Sequence, residues 1–132
     1  MSKENKSSFE DLRVYQLSEQ LADEIWQIVS TWDYFAKDTV GKQLVRAVDS
    51  IGANIAEGCG RWNYKDNSRF IKISRGSLYE TKHWRRRAYK RNLLEKSHTE
   101  KLKTIIDELL PKLTAYLRSI EKATENQLTI NN

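Results

Sequence analysis

Four stretches of this chain set their apolar residues at steps of three and four, and none alternates apolar with polar at every second position. A 3.6-residue period lines such residues along one side of an α-helix, so the pattern commits the chain to helices that must bury one face. The clearest stretch carries Val40, Leu44, Ala47, Val48, Ile51 and Ile55. A second strip of little bulk, Val45, Gly52 and Ala56, lies about a third of a turn away, where another backbone can approach closely. That second strip predicts a further neighbour beyond the bundle core. Gly58-Cys59-Gly60 closes the stretch with residues suited to stopping a helix and reversing the chain.

The other three stretches follow the same rule. The first helix opens at or near Asp11, buries Val14, Leu17, Leu21, Ile25, Ile28, Val29 and Trp32, and holds Tyr15 and Trp26 at the stripe's edges. A link over 31–38 leads to the second helix, with Asp38 or Thr39 as its cap. Asn63 caps the third, and Asp66 three positions later complements its amides. The S-x-x-E of Ser97 to Glu100 has capping-box spacing for the fourth, whose buried side is Leu102, Ile105, Ile106, Leu109, Leu113, Tyr116, Leu117 and Ile120. Pro111 removes one amide donor, but the apolar period runs on through it. Four helices with short links, and no longer repeat, predict an all-α, up-down-up-down antiparallel four-helix bundle over 11–123, between flexible segments 1–10 and 124–132. The 132 residues suit a single domain.

Several chemistries are unsupported. No long uncharged apolar run exists, and Met1–Ser8 is polar without an apolar signal core, so a cytoplasmic protein with no membrane partner is expected. Cys59 is the single cysteine, without a disulfide partner or metal-ligand spacing, and reads as a small turn residue. His83 and His98 fall on different elements, and no glycine-rich phosphate loop follows a strand. Helical spacing does not bring Asp49, Glu57 and Glu80 together. The expectation is a non-enzyme without cofactor or metal.

Charge placement carries the functional reading. From 61 to 91 there are eleven Lys/Arg against Asp66 and Glu80, a net of +9 in a chain of +5, so the remainder sums to −4. Along the third helix, Lys65, Arg69, Lys72, Arg75, Arg86, Arg87 and Lys90 gather opposite an expected inner side of Phe70, Ile73, Ser77, Thr81, Trp84 and Ala88. Arg61 and Arg91 extend the row at either end. With few acids to pair against, such a ridge repels itself and attracts external polyanions. Arginine predominates, which favours forked contacts to phosphate and stacking on unpaired bases. Tyr64, Tyr79 and Tyr89 suit either stacking platforms or core-edge packing. RNA or DNA is the expected partner, and the alternative is an interaction scaffold whose ridge docks an acidic protein. Asn54, Glu57, Glu80 and Arg85 read as structural or interface groups: Asn54 bonding a neighbouring helix, the two acids pairing with Arg46, Arg61 or another chain's arginine, and Arg85 reaching solvent or an acid across an interface.

S-I-x-A-N-I-A-E-G-x-G-R at Ser50–Arg61, F-I-K-I-S-R-G-S-L-Y-E at Phe70–Glu80 and F-E-D-L-R-V-Y-Q at Phe9–Gln16 together resemble the bacterial four-helix-bundle family typified by proteins encoded in intervening sequences of 23S ribosomal RNA genes. Related proteins serve as accessory subunits of reverse transcriptases in diversity-generating retroelements. The resemblance implies the same bundle, a ring-like homopentamer, and partnership with a reverse transcriptase or another ribonucleoprotein protein. The family often has proline where this chain has Gly52, alanine at Ser74 and an apolar residue at Arg85.

Overall fold

Residues 8–131 are described by a computed structural model. A 3-10 turn at Phe9–Asp11 leads into α1 (Arg13–Val29), followed by α2 (Lys42–Cys59), α3 (Tyr64–Lys90) and α4 (Lys96–Asn131). There is no strand among the described residues. α1 packs on α2 and α4, and α3 packs on the same two, so the four rods surround one core in chain order. With such short connections this is the up-down-up-down bundle expected from the period. Leu17, Leu21 and Ile25 of α1, Leu44, Ile51 and Ile55 of α2, Ile71 and Leu78 of α3, and Leu102, Leu109 and Leu113 of α4 are wholly withdrawn from solvent.

The second helix begins earlier than expected. Asp33, not Asp38 or Thr39, caps it: its carboxylate accepts from the Ala36 amide at 2.9 Å. The turn Tyr34–Ala36 then passes through a π-helical turn, Lys37–Gly41, into α2. Gly41 sits where an added Cβ would lie 2.7 Å from Val29 Cγ1, so only glycine lets this lead-in press on the end of α1. Trp32 is half-buried, and Trp26 stands well out in solvent rather than at the stripe's edge.

Gly52 faces Ser18 and Tyr15 of α1, so at that position the low-bulk strip meets a helix of the same chain rather than a further neighbour. At the corner before α3, a Cβ on Gly58 would lie 2.4 Å from Asn67 Oδ1 and 3.2 Å from the Asn67 carbonyl oxygen. Asn63 caps α3 as expected, accepting from the Asp66 amide at 2.8 Å. Asn92, with φ 62°, stops the helix in the left-handed conformation that asparagine tolerates.

α4 differs from expectation at both ends. It starts at Lys96, which puts Ser97 inside the first turn, where it cannot serve as the cap. It continues through Pro111, on the exposed side, and on to Asn131, past the point at 123 where a tail was expected. The expected flexible segment 1–10 falls mostly on residues 1–7, outside the described residues, while Phe9 and Glu10 belong to the 3-10 turn.

Candidate nucleic-acid interface

α3 is 27 residues long, about 40 Å at 1.5 Å per residue. Its buried residues are Ser68, Ile71, Ser74, Leu78, Thr81 and Ala88. The expected inner side is therefore turned by about a fifth of a helical turn: Thr81 and Ala88 are inside, Phe70, Ser77 and Trp84 are only half-buried, and Ile73 is exposed. Small hydroxyl residues explain the rotation. Ser74 is wholly buried and donates to the Ile51 carbonyl at 2.8 Å, while Ser77 and Ser50 share a hydrogen bond at 2.9 Å. These short contacts draw α3 onto α2 through its narrow face, where a larger apolar side chain would hold the helices apart.

The cations remain outward after this rotation. Arg61, Lys65, Arg69, Lys72, Arg86, Lys90 and Arg91 are exposed, and Arg75 and Arg87 are half-exposed. Two have acids close by: Arg61 lies 3.6 Å from Glu57 and Lys72 lies 3.6 Å from Glu121. Both pairs are open to water, so neither charge is strongly bound. Arg75 donates from Nε to Thr114 Oγ1 at 2.9 Å, tethering its stem to α4 without neutralising it. For the other six no ion pair is formed among the described residues, so most of the ridge's charge has no paired acid.

Aromatic rings are interleaved with these charges. The Arg61 and Arg69 guanidinium groups lie 4.5 and 4.6 Å from the centre of the Phe70 ring, and Arg75 and Lys82 lie 5.2 and 5.3 Å from that of Tyr79. A shallow cleft on α3 is lined by Tyr79, Lys82, His83, Arg86, Tyr89 and Lys90, with Arg85 at its floor. Trp62, which the sequence reading passes over, is the most exposed aromatic ring, with 102% relative exposure. Its signal is its position: Gly60 ends α2 and Asn63 caps α3, which leaves Trp62 in a corner too short to fold back on the core.

The structural polar residues sort differently from expectation. Asn54 donates to the Ser50 carbonyl at 2.8 Å and to Ser50 Oγ at 2.9 Å, within its own helix, and that Oγ in turn accepts from Ser77 of α3. Glu57 pairs with Arg61. Glu80 accepts from the Trp84 indole at 3.2 Å rather than from an arginine. Arg85 turns inward: Nη1 donates to Thr99 Oγ1 at 2.7 Å, while Nε is buried without a partner. Burial lowers its pKa from the usual guanidinium range, and the Asp107 charge partly offsets this. Its side chain ties α3 to α4 through Thr99, and leaving Nε without a partner costs stability.

Among the described residues no group of three or more His, Cys, Asp or Glu side chains is placed to hold a metal ion. No helix there is long and apolar enough to cross a membrane.

Fold and surface together define a four-helix bundle with one strongly cationic helix. The family model for the 23S rRNA-intervening sequence protein matches residues 10–115, and the chain belongs to that family. Among solved structures it is similar to a protein of unknown function from the S23 ribosomal protein family of Bacteroides thetaiotaomicron. The TM-score is 0.70 at 21% identity, covering 79% of this chain and 97% of that one. At that identity the likeness speaks for the fold alone. No functionally curated protein matches.

Proposed function

We propose that this protein is a non-catalytic nucleic-acid-binding bundle that holds RNA or DNA on the outer face of α3. The observation carrying the proposal is the row of exposed, mostly unpaired cations from Arg61 to Arg91. Each phosphate met by such a group releases counterions, so affinity comes from charge with little dependence on sequence. Family membership fits a role beside ribosomal RNA or as an accessory subunit of a reverse transcriptase or other ribonucleoprotein in the cytoplasm.

A second surface fits self-association. Trp26, Tyr34 and Phe35 are exposed near the end of α1, and Trp26, Tyr34 and Val45 line a largely apolar cavity there. A homopentameric ring would cover such patches and repeat the cationic ridge around its rim, multiplying weak contacts.

The test is a salt titration of binding to structured RNA, duplex DNA and single strands. Affinity should fall steeply with salt for all three, and no binding to any of them at low salt removes the proposal. Pull-down with nuclease treatment separates the competing scaffold function, because an acidic protein partner survives the nuclease and a tethered polynucleotide does not.

A further inference from the structure

The described residues hold seven exposed aromatic rings, and their distribution is uneven. Trp26, Tyr34 and Phe35 sit at the α1–α2 end, while Trp62, Tyr64, Tyr79 and Tyr89 lie on α3 or the corner that opens it. A single exposed aromatic residue is ordinary. Four along segment 61–91, which carries +9, are a patterned surface: exposed rings stand beside groups that attract phosphate.

We infer that this face grips unpaired nucleotides, with these four rings as stacking surfaces for bases and Arg86 and Lys90 among the groups holding the strand's phosphates. The inference rests on the nucleic-acid reading above and names its substrate class. Stacking needs a base whose face is free, which a paired duplex withholds and a loop, bulge or single strand offers. Tyr79 and Tyr89 are ten residues apart, about 15 Å along the helix, with Lys82, His83 and Arg86 between them in the same cleft. A strand laid along that cleft meets a ring, then cations, then a second ring. Trp62 and Tyr64 stand exposed at the other end, next in the chain to Arg61 and Lys65. None of the four rings is held in the core; Arg75 and Lys82 lie over the Tyr79 ring, so a base reaches that ring by displacing one of these two long side chains, without opening the bundle.

The experiment compares oligouridine with a duplex hairpin of equal phosphate number, closed by a linker without nucleotides so that it offers no unpaired base, by fluorescence anisotropy at matched salt. It uses the whole chain, Trp62→Ala, and the pair Tyr79→Ala with Tyr89→Ala. The single strand is expected to bind about tenfold tighter than the hairpin, and each variant to lose about tenfold on the single strand. Losses on the hairpin should stay under about twofold and the salt slope should be unchanged, since no charge is removed. Circular dichroism checks that the variants keep their helices. Equal binding of the two ligands, or equal losses on both, overturns stacking while leaving phosphate binding in place. Absence of binding to either ligand overturns both readings.

Discussion

α2 and α3 lie side by side and are built on opposite principles. α2 buries four large aliphatic side chains in 18 residues, Leu44, Val48, Ile51 and Ile55. α3 buries only Ile71 and Leu78 of that size in 27 residues and fills the rest of its inner face with serine, threonine and alanine. A helix that contributes so little apolar area to the core owes much of its place to its neighbours. What α3 offers instead is outward: cations and rings in water. On the proposed function, stability and binding are divided between adjacent helices, so a change on α2's inner face and one on α3's outer face should act on different measurements.

The largest effect should come from Ile51→Ala in α2, which opens a cavity at a fully buried site and should cost about 2–5 kcal/mol in chemical denaturation. Affinity for RNA should hold wherever the variant is folded; a parallel loss of binding would break the division. Gly58→Ala adds a methyl group 2.4 Å from Asn67 Oδ1 and should destabilise by about 1–3 kcal/mol as the corner shifts. Arg85→Leu relieves a buried guanidinium whose Nε has no partner, and should raise stability by about 1 kcal/mol. A clear loss of stability in that variant would show that the Thr99 bond outweighs the burial cost.

The smallest effect concerns pH. Tyr116, half-buried near Cys59 with its OH 3.6 Å from Sγ, has its pKa pushed up to about 12, first by burial and then by the Cys59 contact. Its ordinary value is 10.0, so between the two the unfolded chain ionises while the folded one stays neutral. Stability from this group is complete below about pH 10 and is lost as pH rises toward 12. Tyr116→Phe should therefore show a shallower loss of thermal stability between pH 9 and 11 than the parent.

The aliphatic positions of α1, α2 and α4 were legible because large residues at helical spacing have one place to go: Val14, Leu17, Leu21, Leu44, Ile51, Leu102 and Leu109 are all buried. α3 was legible only in outline, since small polar residues fill its inner face: Ser74 by a hydrogen bond to α2 and Ser68 by bonding back to the Lys65 carbonyl of its own helix, which an apolar period does not register. The cations were readable as a row because charge stays in water whichever way the core stripe turns by a fifth of a turn. Arg85 and Trp62 were not, because each breaks the rule for its type: a half-buried guanidinium hydrogen-bonded to a threonine, and an indole held in solvent by two adjacent helix ends. The start of α2 was hidden for a similar reason, as Asp33 caps a turn that reaches α2 only through a π-helical segment.

The most direct measurement is the salt dependence of oligonucleotide binding by the parent and by a variant carrying Lys65→Gln, Arg69→Gln, Arg86→Gln and Lys90→Gln. Removing four exposed, unpaired charges should flatten the slope of log K against log salt by about 3, while the thermal midpoint shifts little because none of the four is in the core. A variant that stays folded and keeps the parent's slope would contradict the claim that the outer face of α3 is where this protein meets its polyanion.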